Sequence, residues 1–164
     1  MYAAMGRLLV CALAAACLLA CQHGAPAPAA PAAPATPVDV AAAGRATVES
    51  WRQAYEVRSF DALAKLYAQE PDLVLVQDGL PLIGWKTIGP LLQDRLTHAK
   101  DIHVRLKDVA VSALAPTAAS VAATMTREIG DGVTTVTENG ALTLVLRKDG
   151  DGWKIVAEHY SYKR

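Results

Sequence analysis

Cysteine is scarce in this chain, and none of it lies where a folded domain would use it. All three cysteines, Cys11, Cys17 and Cys21, fall within the first 21 of 164 residues. A disulfide framework, a cysteine nucleophile and a cysteine metal site are therefore excluded downstream. The four histidines show no spacing typical of a metal centre, so we expect no metal and no other cofactor.

An excess of charge of one sign is also missing. The chain has 16 basic and 16 acidic residues, and loss of a leader containing Arg7 would leave a net charge of −1. A nucleic-acid-binding domain normally carries a basic patch, so this balance gives no electrostatic basis for nucleic-acid binding.

The one long apolar run is at the N-terminus. Arg7 precedes Leu8–Ala20, and the end of the run, Leu18-Leu19-Ala20-Cys21, resembles a bacterial lipobox, which is cut before a cysteine that becomes lipidated. An uncleaved anchor and an ordinary signal peptide are the alternatives, but the run is short for a membrane span. We predict a signal peptide over residues 1–20 and lipidation at Cys21.

Residues 21–37 are rich in alanine and proline, a composition that stays extended and buries no core. We interpret them as a tether of up to about 50 Å at about 3.1 Å per residue. Gln22, rather than an acidic residue, follows Cys21, which resembles the default outer-membrane signal of Gram-negative lipoproteins. The expected location is the cell envelope, anchored by lipid to the outer membrane and facing the periplasm.

The rest of the sequence, residues 38–164, is predicted to form one domain. Helical spacing predicts helices over 39–58, 60–69 and 84–99, and a turn at Asp78-Gly79 joins short strands over 73–76 and 80–83. Alternation then predicts strands over 102–112, 121–129, 133–137, 141–146 and 152–163. The order predicts the α+β class, with three N-terminal helices packed in a curved, mostly antiparallel sheet.

The last strand carries aromatic and ionisable side chains on both faces. Strict alternation puts Ile155 and His159 on one face, and Val156, Glu158 and Tyr160 on the other. Glu158 and His159 therefore cannot both face one cavity.

The landmarks along the chain resemble the SnoaL-like branch of the nuclear transport factor 2-like (cystatin-like) superfamily. They are Trp51 and Tyr55, the segment Phe60–Tyr67, the Asp78-Gly79 turn, Gly84 ahead of Ile88, and Trp153–His159 followed by Ser161. The resemblance covers about Val38–Arg164. It implies a cone-shaped domain in which a curved sheet wraps the helices and leaves a pocket at its wide end.

The resemblance also suggests catalytic candidates, because enzymes of the superfamily use an acid or histidine in the cone as a base, with a tyrosine or second acid to stabilise an enolate. The candidates here are Glu158, Asp78 and His159. Turn geometry alone explains Asp78, and a structural role explains a lone strand histidine. Similarity to kinase association domains places Val156, Glu158 and Tyr160 toward the pocket, which makes Glu158 the preferred acid.

Candidate ligand-binding residues are Tyr55, Trp85, Arg127, Glu158 and Tyr160, although aromatic residues at helical spacing are more often core. Arg127 is mid-sheet and must be paired if buried, so it either binds a ligand carboxylate or neutralises Glu158. We favour the ion pair with Glu158.

Three functions remain open. The leading hypothesis is an envelope domain that binds a small, partly apolar molecule or serves as an accessory interaction module. The second is an acid–base enzyme of the isomerase, cyclase or dehydratase type, and the third is a structural dimer with a filled cone. A homodimer is expected in any case, because Leu142 and Leu144 alternate with Ala141, Thr143 and Val145, which makes this strand apolar on both faces.

The lipobox interpretation gives a direct prediction. Cys21→Ser removes the thiol that would be acylated, so the chain should move from the membrane fraction to the soluble fraction of producing cells. Fractionation combined with mass spectrometry of the N-terminal peptide checks this. A membrane-bound variant, together with a wild-type peptide that carries no acyl chain, would exclude the anchor.

Overall fold

A computed structural model gives the fold and describes residues 34–150 and 152–163. The predicted signal peptide, Cys21 and most of the predicted tether lie outside the described residues. Within the described part of the chain, no helix is both long enough and apolar enough to cross a membrane.

The first helix, α1 (Pro37–Glu56), begins at a capping box. Thr36 and Asp39 each accept a hydrogen bond from the other's backbone N–H, and Pro37 occupies the first turn, where a missing N–H costs nothing. The inward face of α1 carries Val48, Trp51 and Tyr55 into the core.

The second helix, α2 (Phe60–Ala64), is shorter than the predicted helix over 60–69. After Ala64 the chain exchanges backbone hydrogen bonds with Ile155: the N–H of Ile155 donates to Leu66 at 2.7 Å, and that of Ala68 donates to Ile155 at 2.9 Å. These bonds replace the last turn of the helix, and they fix Tyr67 against the final strand.

Strands β1 (Val74–Gln77) and β2 (Leu80–Ile83) form the predicted hairpin, and the third helix, α3 (Trp85–His98), follows it. Asp78 and Gly79 both have positive φ, 55° and 72°, as expected for an Asp-Gly hairpin turn. The three helices are therefore not all N-terminal to the sheet, since the β1–β2 hairpin separates α3 from α1 and α2, an order that the predicted strands over 73–76 and 80–83 already contain.

Four long strands complete a curved six-stranded sheet: β3 (Asp101–Ala115), β4 (Ala118–Gly130), β5 (Thr135–Asp149) and β6 (Gly152–Lys163). The strand order is β2-β1-β6-β5-β4-β3, and β1 with β6 is the one parallel pair among them. The α+β class and the mostly antiparallel sheet are confirmed.

The segments predicted as two strands, 133–137 and 141–146, belong to one strand, β5. Its continuity depends on Gly140, because a Cβ atom there would lie 1.8 Å from the carbonyl oxygen of Ser161 on β6. Glycine allows this close approach of the two backbones, and the strand runs through residues 138–140 without a break.

Strand β6 contains a β-bulge that the alternation rule missed. Val145 pairs with Ala157 but Leu146 pairs with Ile155, so Val156 is an extra residue. Ile155 and Glu158 are both buried as a result, although strict alternation placed them on opposite faces. Beyond the bulge the alternation holds, with Glu158 and Tyr160 buried and His159 exposed.

The inner face of β5 is fully buried through Leu142, Leu144 and Leu146. Its outer face is only partly apolar, because Thr143 and Val145 are half-buried and Ala141 is exposed. The homodimer through this outer face stays a prediction, which light scattering of the purified chain would test.

Candidate functional site

Five side chains with polar groups converge inside the cone from three parts of the chain. Trp51 and Tyr55 come from α1, Tyr67 from the segment after α2, and Glu158 and Tyr160 from β6. Each is at most 3% exposed. The backbone bonds around Ile155 and the bulge at Val156 bring Tyr67 and Glu158 together.

Glu158 is held by a two-step hydrogen-bond chain. The Tyr67 hydroxyl donates to the Glu158 carboxylate through a short bond, and the Trp51 indole N–H donates to the Tyr67 hydroxyl oxygen at 3.0 Å. Burial raises the pKa of Glu158, and the bond from Tyr67 and the charges of Arg127 and Arg95 oppose that rise only in part.

Tyr67 itself remains protonated. Burial and the neighbouring Glu158 raise the pKa of its hydroxyl well above the ordinary value of 10.0. The pair is thus a carboxyl that keeps its proton to a higher pH than an exposed glutamate does and a tyrosine that keeps its hydroxyl proton. When Glu158 is ionised, its carboxylate can accept a proton while the Tyr67 hydroxyl donates a hydrogen bond.

Arg127 does not pair with Glu158, so the expected ion pair is wrong. Arg127 on β4 is 1% exposed and lies opposite Glu138 on β5, and its Nε and Nη2 atoms bond one Glu138 oxygen at 2.7 and 2.6 Å. Direct register neighbours meet more readily than residues two strands apart. Glu138 fell outside every strand predicted from the sequence, so this partner was missed.

The Arg127 guanidinium also lies against two aromatic rings. Its central carbon is 4.9 Å from the Tyr160 ring centroid and 5.7 Å from that of Tyr55, within the range of cation–π contacts. Glu138 supplies the counter-charge of Arg127 at this end of the cone.

Tyr160 is 2% exposed, and its hydroxyl oxygen has no hydrogen-bond partner. It is the one buried side-chain polar atom in this condition among the described residues. Burial raises the pKa of Tyr160 to about 12, so the hydroxyl stays neutral. Tyr160 also borders a surface depression of about 570 Å³, whose other lining residues are Asp78, Gly79, His159, Ser161 and Tyr162.

The remaining candidates lie apart from the Glu158 carboxyl. Asp78 is exposed in the β1–β2 turn and accepts a hydrogen bond from the Tyr162 hydroxyl. His159 is exposed on the outer side of β6. Trp85 is half-buried, with its ring centroid 6.0 Å from that of Tyr67, so it forms part of the wall behind the site.

Sequence reasoning missed three polar contributors. Trp51 and Tyr67 are landmarks of the resemblance but are not among the predicted ligand-binding residues, and neither is Arg95, whose Nη1 lies 3.5 Å from the Tyr55 hydroxyl. A signal existed for the first two, since a buried tyrosine or tryptophan normally bonds its polar tip to a partner. In the described part of the chain, no group of three or more histidine, cysteine or acidic side chains is arranged to hold a metal ion.

Solved structures with the same architecture define the fold class. They include a proposed dehydratase of the NTF2-like family from Streptomyces avermitilis, with 23% identity over 76% of this chain and 96% of that one, at a TM-score of 0.69. A proposed aromatic ring hydroxylase from Novosphingobium aromaticivorans has 21% identity over 79% of this chain and 92% of that one, at a TM-score of 0.70. A protein with a cystatin-like fold from Caulobacter vibrioides has 18% identity over 76% of this chain and 90% of that one, at a TM-score of 0.63.

The domain is thus an α+β cone of the NTF2-like, cystatin-like class. Its sequence matches the SnoaL-like domain family over residues 45–163, and the chain belongs to that family. No curated protein sequence matches it. At identities below 25%, the solved structures show the fold alone.

The ion-pair assignment predicts which glutamate matters for stability. Glu138→Gln leaves the buried Arg127 guanidinium without its counter-charge and should lower the free energy of unfolding by on the order of 3 kcal/mol. Glu158→Gln leaves the Arg127–Glu138 pair intact and should cost less. Urea denaturation of the variants checks this order.

Glu128→Gln is the matched control for that series. Glu128 lies on β4, next to Arg127 in sequence, but bonds Arg105 on the solvent-facing side of the sheet, where solvent screening makes an ion pair contribute little. If Glu138→Gln were no more destabilising than Glu128→Gln, the buried pair would not hold this end of the cone.

The raised pKa of Glu158 predicts a pH dependence with a definite sign. In the unfolded chain Glu158 ionises near 4.5, whereas in the folded chain it ionises at higher pH. Its contribution to stability is therefore complete below the unfolded value and is lost as pH rises through the folded value. As pH rises above 4.5, the wild type should therefore lose more unfolding free energy than Glu158→Gln. Identical pH profiles would contradict the shift.

Proposed function

We propose that the domain binds a small, partly apolar molecule at the wide end of the cone, with one polar group of the ligand bonded to the Tyr160 hydroxyl. The observation that supports this most directly is the unpartnered hydroxyl itself. Leaving a buried polar group unsatisfied costs about 1–3 kcal/mol, and a site that binds a ligand recovers that cost when it is occupied.

The surroundings of this hydroxyl suit a neutral ligand. Tyr55 and Tyr160 supply aromatic surface, and the Arg127 charge between them is already compensated by Glu138. An apolar wall with a few placed polar groups is the usual composition of a small-molecule site. A ligand with one carbonyl or hydroxyl group on a hydrocarbon frame matches it.

Tyr160→Phe tests this assignment, because it keeps the ring against Arg127 and removes only the hydroxyl. The unliganded variant should be as stable as the wild type or more stable, by up to about 1 kcal/mol, since no hydrogen bond is lost. A panel of cyclic ketones, phenols and aliphatic alcohols, screened by thermal shift, should give compounds that raise the Tm of the wild type but not of Tyr160→Phe.

Tyr162→Phe is the matched control. Its ring centroid lies 4.9 Å from that of Tyr160, but its hydroxyl donates to Asp78. It should lose a little stability and keep ligand binding. Compounds that bind Tyr160→Phe as tightly as the wild type would exclude the assignment, and a panel without any binder would favour the filled-cone dimer.

A second candidate, an acid–base enzyme, is favoured by one specific observation. Arg127 pairs with Glu138, which leaves Glu158 hydrogen-bonded to Tyr67 and not neutralised by an arginine contact. A carboxyl with a raised pKa can remove a proton from a carbon next to a carbonyl, and a nearby hydroxyl can stabilise the enolate oxygen. This chemistry underlies isomerase, cyclase and dehydratase reactions.

The enzyme candidate predicts solvent exchange at the acidic carbon of a bound ketone. In deuterium oxide, the wild type should incorporate deuterium next to the carbonyl of a ketone found in the panel, as followed by NMR. Glu158→Gln should bind the same ketone and abolish the exchange, because an amide cannot accept the proton. Exchange at the wild-type rate in that variant would eliminate Glu158 as the base.

A further inference from the structure

The two hydrogen bonds that link Trp51, Tyr67 and Glu158 fix the direction in which the Tyr67 hydroxyl donates. An indole N–H is a donor only, so the Trp51 contact at 3.0 Å identifies the Tyr67 oxygen as its acceptor. A tyrosine hydroxyl has a single proton, and its remaining short contact is with Glu158. That proton therefore points toward the carboxylate.

We propose that Trp51 is a positioning residue that fixes the Tyr67 hydroxyl as the donor to Glu158, so that Glu158 is held as a hydrogen-bond acceptor. A role of Glu158 as an acceptor toward a ligand rests on the function proposed above, a ligand site in the cone. The orientation of the hydroxyl is a property of the unliganded protein and can be tested without any ligand.

Without the Trp51 N–H, the hydroxyl could rotate. Its oxygen would then be free to accept a hydrogen bond from protonated Glu158, and the neutral acid would gain a partner that the present arrangement denies it. Removal of the indole N–H should therefore favour the protonated form of Glu158 and raise the pH at which it titrates.

The ionisable groups that face Glu158 come from every element packed around it. They are Tyr55 on α1, Tyr67 after α2, Arg95 on α3 and Arg127 on β4. Both tyrosines remain neutral at ordinary pH because burial raises their pKa, and both arginines remain charged. Glu158 is thus the group in this set that changes its charge as pH rises above the ordinary glutamate value of 4.5.

The test is an infrared titration of the full chain in deuterium oxide and mild detergent. The difference between the wild type and Glu158→Gln isolates the C=O stretch of protonated Glu158. Incorporation at position 51 of a tryptophan analogue with sulfur in place of N–H keeps the ring shape and removes the donor. We expect the titration midpoint of Glu158 to move to higher pH with the analogue, and Tyr67→Phe to move it further because the donor to the carboxylate is lost. In the Tyr67→Phe background the analogue should add no further shift, which separates an effect through the Tyr67 hydroxyl from a direct bond between Trp51 and Glu158.

Trp85→Phe is the control, since the Trp85 ring packs on Tyr67 without a hydrogen bond to it. It should leave the midpoint unchanged. A midpoint that stays constant or falls with the position-51 analogue would overturn the role of Trp51, and so would an equal shift in Trp85→Phe. These outcomes are independent of the ligand screen, which can fail without moving the titration.

Discussion

The buried carboxyl of Glu158 is the constraint on which the interior of this domain depends. A carboxyl at 3% exposure is costly unless it is hydrogen-bonded, and its partner Tyr67 comes from a segment 91 residues earlier in the chain. Tyr67 reaches it because the segment after α2 leaves its helix and pairs with Ile155. The α2 boundary, the bulge in β6 and the burial of Trp51 are thus parts of one arrangement.

Separation of charges is the second organising feature. The cone contains a buried cation and a buried acid, yet they do not neutralise each other, since Arg127 is compensated across the β4–β5 ladder by Glu138. That separate pair leaves Glu158 with neutral hydrogen-bond donors and a raised pKa. Glu158 is therefore not a member of a structural ion pair, and its environment differs from that of Arg127 in this respect.

Most of the fold could be predicted from the sequence. The apolar spacing along α1 and α3, the Asp78-Gly79 turn and the alternation in the later strands are local patterns, and each produced its element nearly where it was expected. The site was harder to predict. Glu158 and Tyr160 share a buried face of β6, as the similarity to kinase association domains implied, whereas Trp51 and Tyr67 were absent from the predicted site because their polar tips have no local partner in the sequence.

The sequence by itself determined the order of elements, the absence of cysteine from residues 22–164 and the grouping of Glu158 with Tyr160 on one face of β6, because these depend on composition and on neighbours within one element. Tertiary structure alone decided the end of α2, the continuity of β5 through Gly140, the bulge at Val156 and the partners of Arg127 and Glu158. Each of these depends on which backbone or side chain lies opposite across the sheet. That relation joins residues far apart in the chain and leaves no periodic trace in either partner.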